Sequence, residues 1–353
     1  MKILASHDGG SGCAWYRMIL PLEAVAEYAP GVDVTFRRGG MASMENPPPQ
    51  LQIDDVEGMD VMVGQRVNAY EGLGLWRRWN TPWRRTVYEN DDDVFNITHE
   101  NVGAYESYKE GSELREAVKR YCDTAALITV STPHLGDLHR EMSPGVPVEV
   151  LPNYIPAFVL DLPRDEKPRP RIGWMGGSSH VRDLEEAAGS VRRFMQRHGD
   201  WDMYVAGADY RRSFRVPKDR LFYVPWLHVS NDPRLFYRMI DYDIGICPLL
   251  DTQFARSKSA IKALEYSARG IPVIASDVEP YRRFIHDGVD GFLVKTPHEW
   301  LNRLETLAND EDLRLMMGAA AKENARKHTI EEHWPEWVNA YKMLFPVDWD
   351  YQG

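Results

Sequence analysis

Between Phe254 and Val294 the chain carries two cations and a carboxylate, Arg256, Lys258 and Glu265, at the head of a segment rich in small residues. The free N–H groups of a helix start, with cations beside them, suit an anion such as phosphate. Glu265 follows Lys258 by seven residues. On one continuous helix that is two turns on and the same side. A cation for phosphate and a carboxylate for ribose hydroxyls would together grip a nucleoside diphosphate. The spacing alone fits a surface helix with solvated charges as well. Ser257 or Ser259 is expected to cap this helix, and Ala260, Ala263, Leu264 and Ala268 to form its apolar side. Gly270 and Pro272 should stop it, and Ile271 to Ala275 reads as a strand covered on both faces.

Three further loops carry chemistry. His7 to Gly12 is a glycine-rich turn between a strand at Lys2 to Ser6 and a helix from about Ala14 to Tyr28. Glycines there let backbone approach a ligand phosphate, although the spacing is not GxGxxG. Asn90-Asp91-Asp92-Asp93 follows a fourth strand, Thr86 to Glu89, where carboxylates point into the ligand crevice of a parallel sheet. Metal ligand, general base and loop capping are all open roles for this run. Gly176-Gly177-Ser178-Ser179-His180 follows the strand Arg171 to Met175, with Arg182 and Asp183 starting the next helix.

The run Lys258-Ser259, Lys262, Leu264-Glu265-Tyr266 and Gly270-Ile271-Pro272-Val273-Ile274-Ala275-Ser276 resembles the donor-site segment of retaining group 1 (family 4) GT-B glycosyltransferases. The likeness is to the bacterial and phage branch with a KSxxKxLEYxxxGIPVIAS pattern. Asp287-Gly288 and Asp290-Gly291-Phe292-Leu293-Val294 resemble that family's DGxxGxLV ending, and IGWMGGSSHVRDL its IGxxGSxxHxxDL run. The resemblance implies an α/β GT-B fold, two Rossmann-like β/α/β domains facing each other across a cleft. It implies metal-independent, retaining transfer of a sugar from a nucleotide-diphosphate sugar, the co-substrate, to an acceptor hydroxyl, with no further cofactor. Lys258, with Arg256 or Arg182 as second cation, would stabilise the leaving diphosphate, aided by N–H groups at Ser259 and Gly177. Glu265 would hold the ribose. Gly9, Gly10, Gly176, Gly177, Ser178 and His180 would border the donor, and Asp91, Asp92 or His7 would be base candidates if the reaction inverts. The broader family has two glutamates eight residues apart. The earlier position here is Ser257, so only Glu265 carries over.

The elements that must position these residues are legible as alternating strands and helices. At 353 residues the chain should hold two domains. The expected division is 1–155 on the acceptor side, 156–170 as a proline-rich hinge, 171–328 for the donor, and a helix at 329–353 bracing the first domain. Further strands are expected at Val32 to Phe36, Val61 to Val63, Leu127 to Val130, Val148 to Leu151, Asp202 to Ala206, Leu221 to Val224 and Tyr242 to Pro248. A net charge of −11 argues against a generic nucleic-acid binder. Cys13, Cys122 and Cys247 lie far apart without a CxxC pair, which fits a reducing cytoplasm rather than a disulfide or zinc framework. No apolar run approaches the ~20 residues of a membrane span. Other readings stay open: a sugar-nucleotide epimerase of the same fold, a non-catalytic nucleotide-sugar binder, and a phage-type glycosyltransferase acting on modified bases. Only the Trp-Arg stretch at Leu73 to Arg85 favours the last, and a helix that buries its tryptophans and leaves its arginines solvated explains that stretch better.

Overall fold

The computed structural model describes residues 1–7, 9–38, 57–97, 99, 102–177 and 180–346. Among them the chain divides into two compact units. Unit 1 comprises Met1–Tyr154, Ser257–Ser259 and the stretch that begins at Ile330; unit 2 comprises Ile155–Arg256 and Ala260–Thr329.

Unit 1 is built on a six-stranded parallel sheet of β1 (Lys2–His7), β2 (Asp33–Arg38), β3 (Val61–Gln65), β4 (Arg85–Asn90), β5 (Leu127–Val130) and β6 (Val148–Val150). Its order is β2-β1-β3-β4-β5-β6. Every neighbouring pair runs parallel, an arrangement whose helices cover both faces, and β3 and β5 are buried at every residue. Leu4, Met62, Tyr88 and Ile128 from the sheet pack with Trp76, Trp79, Val118 and Tyr121. Trp76 meets Tyr121 edge-on at 5.3 Å between ring centroids. Two of the three tryptophans in the Trp-Arg stretch are therefore core on the helix Leu73–Trp79, and only Trp83, at 67% exposure, faces solvent.

Unit 2 repeats the architecture with β7 (Arg171–Gly176), β8 (Asp202–Gly207), β9 (Leu221–Pro225), β10 (Ile244–Cys247), β11 (Val273–Ser276) and β12 (Gly291–Val294). Its order is β12-β11-β10-β7-β8-β9, again parallel. The helix Val181–Arg197 buries Leu184, Ala187, Val191, Phe194 and Met195, the i, i+3, i+4 stripe that faces a sheet. Thr296 and Glu299 close a reciprocal capping box on the helix Pro297–Asn309.

The eleven strands named from the sequence are all present among the described residues, with shifts at their ends that have local causes. β11 begins at Val273 rather than Ile271, because Pro272 has no N–H to give a ladder. The first helix passes through a π-helical stretch, Trp15–Ile19, between Gly12–Ala14 and Leu20–Tyr28. The largest correction concerns the motif segment. The helix there is only Ile261–Ala268, with Ala260 at its N-cap and no side-chain cap. Neither Ser257 nor Ser259 caps it, and Lys258 does not share a helix with Glu265.

Candidate functional site

In a doubly wound sheet, ligands bind beyond the carboxyl ends of the strands where the winding reverses. In unit 1 that point lies between β1 and β3, and in unit 2 between β7 and β10.

Beyond β3 stands Arg66, held in the left-handed region at φ 49°. Its Nε donates to Asp91 Oδ1 at 2.7 Å, and its Nη2 donates to Asp92 Oδ2. Lys258 Nζ donates to the other Asp92 oxygen at 3.3 Å. Burial opposes ionisation of Asp92, but the charges of Lys258 and Arg66 outweigh it and hold the carboxyl below its usual range. Burial likewise opposes the Lys258 charge, and Asp92 outweighs it, raising the ammonium pKa. Asp92 and Lys258 are therefore both ionised at neutral pH. The third aspartate behaves differently. Asp93 accepts from the Phe95 and Asn96 amides, each at 3.1 Å, and from Asn96 Nδ2 at 2.8 Å, so it caps its own loop. Asn90 Nδ2 fixes the run from below, donating to the Asp92 carbonyl at 2.8 Å and bonding His139 Nε2 at 2.9 Å. Burial pushes His139 down to about 4, so its ring is neutral and Nε2 can accept.

The loop after β1 is held by His7, whose Nδ1 accepts from the Gly9 amide at 3.2 Å. Gly9 has φ 112°, and a Cβ there would meet Arg38 Nε at 2.9 Å. Ser11 Oγ caps the first helix, accepting from the Ala14 amide at 3.0 Å. Gly9 and Gly10 thus stand at the unit 1 switch point. Cys13 belongs to the same neighbourhood, and burial pushes its thiol well up.

In unit 2 the C-terminal end of β7 is Gly176. A Cβ there would lie 2.6 Å from Trp174 Cζ2 and 3.2 Å from Lys262 Nζ, so only glycine lets this ammonium sit against the turn. Lys262 Nζ stands 4.9 Å from the Trp174 ring centroid, a cation–π contact. Gly177 follows, and its carbonyl accepts from Tyr210 at 3.2 Å. His180 Nδ1 meets Asp183 Oδ2 at 2.8 Å, and the other Asp183 oxygen accepts the Leu250 amide just past β10 at 3.0 Å. Burial opposes the Asp183 charge, but the bonds from His180 and Leu250 outweigh it and lower its pKa. Glu265 is buried on the helix Ile261–Ala268 at 6% exposure. On the same helix Tyr266 reaches β7, its hydroxyl accepting the Met175 amide at 2.9 Å.

The two guanidinium candidates are elsewhere. Arg256 pairs with Asp251 at 2.8 Å, both about half exposed. Arg182 points past the switch point to Glu185 at 3.4 Å and is 59% exposed. Ser178 lies outside the described residues. Sequence reasoning gave no role to Arg66, Asp183 or Lys262. Lys262 stood in the motif run itself, and Asp183 three residues after His180 is a one-turn spacing that could have flagged it. Nothing local marks Arg66, whose partners are 25 and 26 residues away.

Residues 169–310 match the profile of the family described as glycosyl transferases group 1. Two curated relatives are D-inositol 3-phosphate glycosyltransferases. That of Corynebacterium glutamicum is 41% identical over 86 residues, 24% of this chain and 19% of the relative. That of Corynebacterium urealyticum is 29% identical over 92 residues, 26% of this chain and 22% of the relative. The matched stretch spans about a fifth of each relative's length. Among solved structures, sucrose-phosphate synthase from Thermosynechococcus elongatus aligns with a TM-score of 0.66 and 15% identity over 98% of this chain and 99% of that one. Anabaena HepE in complex with UDP-glucose aligns with a TM-score of 0.63 and 14% identity, covering 96% and 100%. At such identities the likeness shows the fold, and the fold is GT-B.

Proposed function

We propose that this chain is a glycosyltransferase that moves a sugar from a nucleotide-diphosphate sugar to an acceptor hydroxyl, with retention at the anomeric carbon. The observation that carries the reading is the β7 turn within the group 1 match. There Gly176 leaves room for the Lys262 ammonium, and Glu265 is carried by the same short helix. A diphosphate on this turn would meet the Gly177 amide and Lys262, while Glu265 accepts from the ribose hydroxyls. His180 and Asp183 fix the turn to the loop after β10.

Transfer breaks the bond between the anomeric carbon and the diphosphate oxygen and forms one to the acceptor oxygen. Negative charge grows on the leaving oxygen, and fixed cations lower that barrier because they need no reorganisation. Lys258 is assigned this task, with the Ser259 amide beside it. With retention, the acceptor approaches on the face the diphosphate leaves, and the leaving oxygen takes the acceptor proton. Asp92, held ionised, is the base available should the reaction invert. The charges that offset the leaving group are protein side chains, so the proposed reaction runs without a metal. UDP-glucose, bound by Anabaena HepE, is the first donor to try. A phosphorylated cyclitol, the acceptor named for the corynebacterial relatives, is the first acceptor.

A thermal-shift screen with UDP, GDP, ADP, dTDP and their sugar conjugates tests the donor site directly. One nucleotide should raise the melting temperature, and Glu265→Ala should abolish the rise. If no nucleotide shifts the protein, or if the shift survives in both Glu265→Ala and Lys262→Ala, the site is wrong.

A further inference from the structure

Lys258 sits in a tripeptide, Ser257–Ser259, that is grouped with unit 1 while both flanking segments belong to unit 2. Its bonds are therefore the means by which unit 1 places that ammonium. Thr132 Oγ1 donates to the Ser257 carbonyl at 2.9 Å, and Ser257 itself is fully buried. On the other side of Lys258, Asn153 Nδ2 donates to Ser259 Oγ at 2.8 Å. Asn153 is in turn oriented from beneath, because Arg17 Nη1 donates to its Oδ1 at 2.9 Å and also to the Leu151 carbonyl. The bond from Arg17 to Oδ1 orients the amide: with Oδ1 committed to Arg17, Nδ2 faces Ser259. Arg17 comes from the π-helical stretch, and Glu89 holds it through Nε at 2.7 Å and Nη2 at 3.1 Å. Thr129 adds a third bond to Glu89 at 2.5 Å. Arg17 and Glu89 are each 1% exposed.

A buried ion pair is weak evidence for stability, since apolar residues of equal volume do as well or better. Its value here is directional. We propose that Asn153 is a positioning residue that, locked by Arg17 and Glu89, fixes Ser259 and thereby the Lys258 ammonium against Asp92. The leaving-group role of Lys258 rests on the function proposed above; the positioning does not.

The test reads Lys258 itself. Wild type, Asn153→Ala and Ser259→Ala are treated with an amine-acylating reagent at pH 8, and the modification rate at Lys258 is followed by peptide mass spectrometry. Both variants should acylate at least about fivefold faster, because a released ammonium loses the pairing that keeps it protonated. The double variant should be no faster than the singles, since both remove one bond. Ser259→Ala leaves Arg17 and Glu89 untouched, so it serves if Asn153→Ala melts early. Donor Kd should stay within twofold while kcat falls about tenfold in both. Unchanged Lys258 reactivity in variants with native melting overturns the proposal, as does additivity in the double. Faster acylation with kcat unchanged in Lys258→Ala would instead sink the leaving-group role and leave the positioning standing.

Discussion

The two switch points solve the same problem with different materials. At the β7 end, close approach is made by subtraction: Gly176 has no Cβ, so Trp174 and Lys262 crowd the turn. Beside the unit 1 switch point, past the ends of β3 and β4, Arg66, Lys258, Asp91 and Asp92 neutralise one another in a half-buried cluster. The first arrangement offers a shaped surface with a cation already in place. The second stores opposed charges that a ligand could re-partner. On the proposed function, unit 2 binds the donor and unit 1 responds to it, and each variant below separates those roles.

The largest effect should come from Lys258→Ala. Removing a fixed cation from a developing oxyanion costs on the order of 10²–10³ in kcat. Steady-state kinetics should show that loss with donor KM nearly unchanged and native circular dichroism. Gly176→Ala should do the reverse in unit 2. Its methyl would lie within 2.6 Å of Trp174 and 3.2 Å of Lys262, so the ammonium must move. Donor Kd should rise about tenfold, read by calorimetry, with kcat at saturation within a fewfold of wild type. If Gly176→Ala lowers kcat and spares Kd, the division of roles is wrong.

The next effect is on stability and belongs to unit 1 alone. His139 titrates at about 4 in the folded protein against 6.5 when free. The unfolded chain therefore takes up the proton first. This contribution is whole above pH 6.5 and declines as pH falls toward 4, by about 3 kcal/mol from a shift of this size. Asp92 adds a loss in the same sense at lower pH, because its depressed pKa stabilises only above the free-carboxyl value. Urea unfolding at pH 7, 5.5 and 4.5 should show the decline, and His139→Gln should flatten it. A pH-independent midpoint in wild type would mean the ring is not held neutral.

The same contrast explains what could be read from the residues in order. Strands and glycine turns were legible because alternation, β-branched runs and small residues are local signals, and the places of Gly176 at a strand end and Glu265 on a helix came with them. The unit 1 cluster was not. Asp92 was visible only as one of three carboxylates, and its partner Lys258 is 166 residues away. The capping error has the same origin. A serine before an apolar stripe is the ordinary cap signal, but Asn153 had already engaged Ser259, and that bond spans 106 residues. Arg256 and Arg182 looked as useful as Lys258 because sequence shows charge without showing direction.

The smallest effects should therefore be at those two arginines, and they carry the sharpest control. Arg256 bonds Asp251 at 2.8 Å in solvent, and Arg182 reaches Glu185 at 3.4 Å. Exposed pairs of this kind contribute little, because water screens them and the side chains lose entropy in pairing. Arg256→Ala and Arg182→Ala should each leave kcat, donor Kd and melting temperature within about twofold or two degrees of wild type. A loss in kcat as large as that of Lys258→Ala would require the guanidinium to leave its carboxylate and join the reaction. Measured side by side, the three variants decide whether positive charge acts wherever it lies near the motif or only where Asp92 and Asn153 hold it.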